Sequence, residues 1–445
     1  MKTIKTCWSG CVLVVSLFRA EPAQADNWPA WRGPLGTGVS AEHRLPLHWS
    51  TNENIFWRAP LPETGNSTPV VWGDRVFITQ AVKGQRALMC FDRSNGQLFW
   101  QQGPVYAQTE ATHESNPHCA SSPVTDGKRV VVWFGSAGLY CYDFKGKEKW
   151  HCDLGPQHHI WGWGASPVLY DDLCVLNFGP GERTFLTAVN KNTGKMVWRV
   201  DDPGGDSGET KPGKEKPNWI GSWSTPVVIK AGKREELVLS WPRRVIGFEP
   251  KTGRELWTCA GLNPLVYTSP LYDPSTQLVV AMGGFMGMTL AVEAGGGGAG
   301  DVTQTRRRWQ HPKTKQRIGS GVIHDGYIYI LNDPGIAECY ELETGKLVWE
   351  ERLKGPAVKS DNWSSMISAA GRLYVINQGG DAFVLKASPR FEVLATNSIG
   401  EMTIGSLGVS DGDIFIRSYR NLWCVREAPK APAARSRAPD RTSKP

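Results

Sequence analysis

Beyond its first 25 residues, the sequence has no long apolar run, so nothing there predicts a membrane-spanning helix. It has no Cys-x-x-Cys pair and no Cys-x-x-Cys-His motif, which argues against a zinc site, a dithiol redox centre and an attached c-type haem. It also lacks a strong charge of one sign in its body. Of the formal net charge of +7, residues 428–445 contribute +4 and residues 1–25 contribute +2, so a nucleic-acid partner is not expected.

The two ends of the chain differ from its body. Lys2 and Lys5 precede a 12-residue apolar stretch at 7–18, and Ala23-Gln24-Ala25 offers a small-x-small cleavage site. This pattern predicts a secretory signal at 1–25 and export to the periplasm or cell envelope. The stretch is too short for a retained anchor, and Cys11 comes too early in it for a lipoprotein. The Pro/Ala/Arg-rich tail, 428–445, is expected to be disordered.

Tryptophan is abundant and periodic. Seven of the 20 tryptophans recur at intervals of 40 to 59 residues, mostly after an acidic residue and a turn glycine, as in 249–257. The seven are Trp57, Trp100, Trp150, Trp198, Trp257, Trp309 and Trp349. Upstream lies a second signature, such as Ser121-Ser122-Pro123-Val124, present in eight copies and followed by polar turns and β-branched runs. A repeat of this length predicts a propeller with four antiparallel strands in each blade.

The ends of the repeat array predict how the ring closes. The last repeat has three strands, ending at 422–425, and the chain begins with an orphan fourth strand around Trp57. Pairing these two strands removes exposed sheet edges. We therefore predict an all-β, single eight-bladed propeller at 54–427, after a lead-in at 26–53. Two repeats depart from the pattern. The fifth has a glycine-rich excursion at 295–300, and the seventh fills its fourth strand with 391–394 and no tryptophan.

The repeat resembles the tryptophan-docking motif of pyrroloquinoline quinone (PQQ) propellers, typified by Ala-x-Asp-x-x-Thr-Gly-Lys-x-x-Trp. Residues 188–198, Ala-Val-Asn-Lys-Asn-Thr-Gly-Lys-Met-Val-Trp, come close to that line. The resemblance covers about residues 54–427 and implies that the seven repeat tryptophans are structural and pack between blades. The lead-in, with Trp28 and Trp31, is similar to that of many exported propellers of this type. It is expected to lie against the outside of the ring or to cap a face.

Eight cysteines follow the predicted signal. Cys90, Cys141, Cys339 and Cys424 occupy equivalent places in strand three of different blades. Such sites are too far apart for disulfide bonds, so these cysteines are interpreted as small buried residues.

The long connections from strand four of one blade to strand one of the next carry the candidate site. In a propeller they share a face with the loops between strands two and three, and that face surrounds the axial channel. The candidate ligand-binding residues are His113, Glu114, Asn116, His118, Trp163, Trp223, Tyr267 and Trp363, with Arg243 from a facing loop. Trp163, Trp223, Tyr267 and Trp363 stand just before the strand-one signature, which predicts them at the channel mouth. Whether these rings line a ligand site or plug the channel stays open.

The histidines of two neighbouring loops raise the question of a metal. His113, His118, His158 and His159 lie there without the fixed spacing of a metal motif. Hydrogen bonding within the loops is the preferred interpretation, and no metal is expected.

Three functions are compatible with this sequence. The first is an exported, non-catalytic monomer that binds protein partners on its loops, as the resemblance to assembly-factor (BamB-type) propellers implies, with no cofactor. The second is a PQQ- and Ca²⁺-dependent alcohol or sugar dehydrogenase, for which Asn116, Asn177, Asn332, Asp333 and Asp361 are candidate metal ligands by loop position and Arg243 a candidate partner for a quinone carboxylate. Its weakness is the absence of the vicinal cysteine pair found in many such enzymes. The third is a glycan-binding or small-molecule-binding propeller that uses the tryptophan-rich mouth.

Overall fold

Eight blades of four antiparallel strands form the body of the protein, and one blade gains a fifth, parallel strand, which confirms the predicted eight-bladed propeller. The computed structural model describes residues 26–202, 205–209, 219–285, 287–296 and 299–428. The predicted signal, 1–25, lies outside the described residues, as does the predicted tail apart from Ala428. Within the described residues there is no α-helix, and a single 3-10 turn spans Gly135–Ala137.

The strands of each blade follow one another in chain order from the axis outwards. The first strands of neighbouring blades contact each other around the axis, whereas the fourth strands are the most exposed. In blades 1 to 4 the strands are Val70–Trp72, Arg75–Val82, Gln85–Asp92 and Leu98–Gln102; Val124–Thr125, Arg129–Trp133, Leu139–Asp143 and Glu148–Cys152; Val168–Tyr170, Leu173–Phe178, Thr184–Asn190 and Met196–Asp202; and Val227–Ala231, Arg234–Trp241, Arg244–Phe248 and Glu255–Ala260.

Blades 5 to 8 repeat this order. Their strands are Leu271–Asp273, Leu278–Met282, Thr289–Glu293 and Arg307–His311; Val322–His324, Tyr327–Asn332, Ile336–Glu341 and Leu347–Arg352; Ile367–Ala369, Arg372–Ile376, Asp381–Lys386 and Val393–Ser398; and Gly408–Ser410, Asp413–Arg417, Asn421–Arg426 and Ile55–Pro60. The last of these comes from the N-terminal side and pairs with Asn421–Arg426, with Trp57 opposite Cys424. The ring therefore closes as predicted. A short parallel pair, Gly221–Ser222 with Leu265–Val266, joins the connections that enter blades 4 and 5.

A chain of hydroxyl groups ties the inner ends of the blades together. In seven of the eight strand-one signatures one Ser or Thr donates its backbone N–H to the hydroxyl of its counterpart in the next blade, at 2.8–3.0 Å. The chain runs through Thr68, Ser122, Ser166, Thr225, Ser269, Ser320, Ser365 and Ser406. Among the described residues it has seven links and not eight, because the hydroxyl of Thr68 has no hydrogen-bond partner. The signature is therefore a connector between blades as well as a strand start.

Six of the seven repeat tryptophans bridge neighbouring blades at the periphery. Each donates its indole N–H to a backbone carbonyl in the strand three–four turn of the next blade, at 2.7–3.3 Å: Trp57 to Arg93, Trp100 to Phe144, Trp150 to Lys191, Trp198 to Pro250, Trp309 to Leu342 and Trp349 to Ser388. In five of the six, all except Trp349, the ring then lies on the turn glycine. A Cβ at Gly194 would lie 2.6 Å from the ring of Trp150, which explains why the turn carries glycine.

Trp257 departs from this pattern. Its buried indole N–H donates to Glu236 Oε2 of its own blade at 2.7 Å. The glycine-rich excursion of the fifth repeat supplies the link instead, because its strand Gly300–Asp301 pairs in parallel with Trp257 and Thr258 at the outer edge of blade 4. Blades 4 and 5 are thus joined through backbone hydrogen bonds.

The seventh repeat is also corrected by the structure. Phe391 precedes the fourth strand and packs on Trp349, with ring centroids 5.1 Å apart. The strand is Val393–Ser398, and Ala395 stands opposite Val384, where other blades carry tryptophan. Trp49 of the lead-in belongs to the same hydrophobic cluster as Ala395, and its backbone N–H donates to the Asn397 side chain at 3.0 Å. The lead-in therefore provides a buried tryptophan that this repeat lacks.

The strand-three cysteines lie opposite the repeat tryptophans. Cys90, Cys141, Cys339 and Cys424 face Trp100, Trp150, Trp349 and Trp57, where Ala188, Gly247 and Ala291 stand in other blades. All eight cysteines of the described residues are free thiols. A small side chain at this position leaves room for the tryptophan across the ladder.

The chain of hydroxyl groups predicts a contrast between two threonines. Thr225→Val should lower the free energy of unfolding by about 1–3 kcal/mol, because the buried N–H of Ser166 loses its acceptor. Thr68→Val, an equally conservative change, removes a hydroxyl that has no partner and should cost little. Urea unfolding of both variants checks this, and equal losses of stability would contradict it.

Removal of the lead-in tryptophan should be more severe. Trp49 is 3% exposed, so Trp49→Ala leaves a cavity beside blade 7 and should cost about 3–5 kcal/mol. The control is Leu347→Ala on an outer strand, where the side chain is 44% exposed. If the two variants unfold at similar urea concentrations, Trp49 has no role in joining the lead-in to the ring.

Candidate functional site

A cavity of about 380 Å³ lies on the propeller axis. All eight connections that lead into strand one contribute to its wall, which only an axial position allows. Its aromatic lining consists of Trp31, Trp161, Trp219, Trp223, Tyr267, Phe285 and Trp363. Its polar lining consists of Asn66, His113, Asn116, Ser122, Gln316, Ser365 and Ser406. Among the described residues, no Asp, Glu, Lys or Arg lines it.

The aromatic wall is a packed cluster on one side of the axis. Trp161 lies 5.0 Å from Trp219 and 6.1 Å from Trp223 between ring centroids, and Trp223 lies 5.1 Å from Tyr267. The Trp223 indole N–H donates to the carbonyl of Gly162 at 3.1 Å, which fixes the plane of its ring. The positions of these rings are therefore set by contacts within the protein.

His159 supports this cluster from behind. It is buried, packs edge-on against Trp223 at 5.1 Å, and its Nδ1 accepts the backbone N–H of Trp161 at 3.1 Å. Burial lowers the pKa of His159 to about 4, and the neighbouring His158 adds to this effect. The ring is therefore neutral at physiological pH and acts as a packing element.

The lead-in closes the end of the channel opposite the four-to-one connections. Trp28 exchanges two backbone hydrogen bonds of 2.9 Å with Val71 of blade 1, and Val39 forms a parallel bridge with Ser368 of blade 7. Between them, Arg32 donates to backbone carbonyls that lead into blade 6. The segment 28–39, here called the strap, thus crosses the axis, and its Trp31 lines the cavity. Of the two expected placements, the structure shows the cap on a face for the strap with Trp28 and Trp31, whereas Trp49 later in the lead-in packs against blade 7.

The structure brings five of the nine candidate residues together. His113, Asn116, Trp223, Tyr267 and Trp363 line the cavity. Asn116 also holds the wall, because its Nδ2 donates to the carbonyls of Trp161 and Trp163 at 2.8 and 3.0 Å.

The other four candidates lie outside the cavity lining. Trp163 is 3% exposed and packs on Trp133 with ring centroids 5.9 Å apart, so this ring fills the core. His118 lies behind it, with Nδ1 3.8 Å from the carboxylate of Glu110, and burial lowers its pKa. Glu114 is exposed, and Arg243 is exposed at the strand two–three turn of blade 4.

The four loop histidines do not converge. His113 Nδ1 accepts the backbone N–H of Ser115, and His158 pairs with Glu209 at 2.8 Å. Within the described part of the chain, no three His, Cys, Asp or Glu side chains form a group able to hold a metal ion.

Sequence reasoning missed several lining residues. Trp161 and Trp219 stand in the long connections, and tryptophan in an irregular polar loop was a usable signal for both. No sequence signal marked Trp31, Phe285 or Gln316 as lining residues. They stand in the strap, in a loop between strands two and three and in a short connection, and these segments come to the axis only when the ring closes.

The match to a known family agrees with this architecture. The model of the family described as outer membrane protein assembly factor BamB matches residues 84–351 and 244–388, together more than half of the chain. The chain belongs to this family of PQQ-like propellers. A comparison with curated proteins found no match.

Several solved structures share the fold at low identity. BamB from Moraxella catarrhalis aligns with a TM-score of 0.58 and 12% identity over 82% of this chain and 95% of its own. The quinohemoprotein alcohol dehydrogenase ADHIIG from Pseudomonas putida HK5 aligns with a TM-score of 0.59 and 12% identity, over 92% of this chain and 82% of its own. The computationally designed Ika8 protein aligns with a TM-score of 0.57 and 12% identity, over 83% of this chain and 99% of its own. At such identities the likeness concerns the fold alone.

The residues of this PQQ-like propeller do not fit a PQQ–Ca²⁺ centre. The amide of Asn177 is bonded to Ser224 and Trp241, that of Asn332 to Ile336 and Arg317, and Asn116 is committed to the wall. Asp333 and Asp361 do not line the cavity, and burial, helped by Asp361, raises the pKa of Asp333 to about 6. The described lining thus supplies neither carboxylates for Ca²⁺ nor a cation for the quinone carboxylates. Among the described residues, no helix has the length and apolarity needed to cross a bilayer.

Proposed function

We propose that this chain is an exported, non-catalytic binding propeller of the cell envelope. The observation that carries the proposal is the axial cavity, which has an aromatic wall and a floor made by the strap. Its size is that of a typical ligand pocket. Its lining offers stacking surfaces and hydrogen-bonding groups and, among the described residues, no Asp, Glu, Lys or Arg, which suits recognition.

A partner protein is the occupant that the loop face favours. Trp219 and Phe285 line the cavity and remain 42% and 48% exposed, and Val358 and Met402 are exposed on connections of the same face. Exposed large apolar residues around a concavity mark interaction surfaces. A partner that covers this face would place an apolar or ring-shaped group in the cavity, in keeping with the scaffold role.

A glycan is the second candidate, and the unpaired polar atoms of the lining favour it. Among the described residues, the Tyr267 hydroxyl and the Gln316 side chain make no hydrogen bond, and Oδ1 of Asn66 is buried without a partner. Donors and acceptors beside aromatic faces match the hydroxyl groups and apolar face of a sugar ring.

The cavity is expected to bind a neutral fluorescent probe, N-phenyl-1-naphthylamine, at one site per chain. Trp223→Ala should weaken this binding at least tenfold, because the ring joins Trp161 to Tyr267 in the wall. Leu347→Ala is the matched control, since that side chain lies on an outer strand away from the axis. Fluorescence titration measures both, and equal binding by the two variants would remove the cavity as the site.

PQQ is expected to show no Ca²⁺-dependent binding in calorimetric titration. The reason is the lack of carboxylates that could hold Ca²⁺ in the described lining. Saturable, Ca²⁺-dependent binding at one site per chain would overturn the non-catalytic proposal and restore the dehydrogenase function, which dye-linked alcohol and sugar assays would then measure.

A further inference from the structure

Two buried guanidinium groups adjoin the axial cavity without an acidic partner. Arg32 is 2% exposed and follows Trp31, the floor of the cavity, in the strap. Arg417 is 0% exposed and lies in the second strand of blade 8. Burial of an unpaired charge is costly, so two such residues beside one cavity require a reason.

Arg32 is held by neutral acceptors alone. Its Nη1 donates to the carbonyl of Ser320 at 3.3 Å, and its Nη2 donates to those of Thr37 and Gly321, each at 2.5 Å. Its Nε is buried without a partner. These carbonyls stabilise the cation and leave its net charge uncompensated.

Arg417 is held in the same way on another side of the channel. It donates to the Ser67 hydroxyl and the Thr79 carbonyl at 2.9 Å each, and to Gln80 Oε1 at 2.6 Å. Its Nε is also buried without a partner. Ser67 directly follows Asn66, which lines the cavity, so this charge lies one residue behind the wall.

Other buried arginines of the chain are paired. Arg86 meets Glu110 at 2.8 Å and Arg317 meets Glu338 at 2.9 Å. Across the described residues, no carboxylate approaches Arg32 or Arg417 within 4.0 Å. Burial lowers the pKa of each to about 9, so both stay charged at neutral pH.

We propose that the group that enters the cavity is anionic: a ring-shaped body stacked on the aromatic wall, with one carboxylate or comparable anion facing the field of Arg32 and Arg417. This inference rests on the proposed function. Charges act over longer distances in a poorly solvated interior than in water. In the connection 109–118, Glu110 and Glu114 both lie outside the lining: the buried side chain of Glu110 is paired with Arg86, and Glu114 is exposed and screened by solvent.

Two dyes with the same ring system test the charge directly. 8-Anilinonaphthalene-1-sulfonate carries a sulfonate that N-phenyl-1-naphthylamine lacks. Fluorescence titration of the signal-free protein should give one site for each, lost in Trp223→Ala, with the anionic dye bound about tenfold more tightly at low salt. Its advantage should shrink as salt is added.

Variants of Arg417 assign the preference to its charge. Arg417→Met should weaken the anionic dye about tenfold and the neutral dye little, whereas Arg417→Lys should retain most of the preference. If Arg417→Met does not fold, the inference is tested by the ratio of the wild-type affinities for the anionic and the neutral dye, and by the dependence of this ratio on salt. Equal one-site affinities of the two dyes would overturn this inference and leave the cavity as a binding site. Failure of both dyes to bind would contradict the proposed function itself.

Competition against the anionic dye distinguishes the sources of such a group. N-acetyltryptophan against its amide represents an acidic partner peptide, and glucuronate against methyl glucoside represents an acidic glycan. Stronger displacement by the acid of either pair supports the inference and names the source. Equal displacement within both pairs would overturn it.

Discussion

The hydrogen bond between the inner ends of neighbouring blades sets the geometry of the ring. Because the acceptor is the hydroxyl of the same signature residue in the next blade, each blade is held at a fixed spacing from its neighbour. This spacing leaves an axial opening. The break falls at Thr68, where the sheet that closes the ring from both ends of the propeller meets blade 1. There, hydrogen bonds of Arg417 to Ser67 and Thr79 connect blades 8 and 1 instead.

At the periphery, neighbouring blades are joined by a second set of contacts. The segment that makes the contact differs between junctions, but a contact is present at each. Six junctions use a tryptophan that reaches the next turn. At the junction after blade 4, the strand Gly300–Asp301 pairs with the outer strand instead. Beside the tryptophan-free fourth strand of blade 7, Trp49 of the lead-in packs in the same hydrophobic cluster. The two irregular repeats are therefore compensated where the regular contact is missing, which is what close packing between blades demands.

These observations explain how far the sequence could predict the molecule. Blade number and closure follow from local patterns, since each strand and turn leaves its mark within one repeat. Trp223, Tyr267 and Trp363 were predictable at the axis because they directly precede strand one. Trp163 has the same sequence position, yet Trp133 draws its ring into the core. The position of Trp31 could not be predicted, because the strap contacts blades 1, 6 and 7 only after the ring has closed.

The same contacts limit what the family resemblance implies about function. The fold is shared by an assembly factor, a dehydrogenase and a designed protein at 12% identity, so the fold alone cannot select an activity. In this chain the amides of Asn116, Asn177 and Asn332 are used to hold loops and strands together. An amide that already satisfies its neighbours is a poor metal ligand, because metal binding would leave those buried groups unpaired. These three amides are therefore poor candidates for metal ligands in this chain.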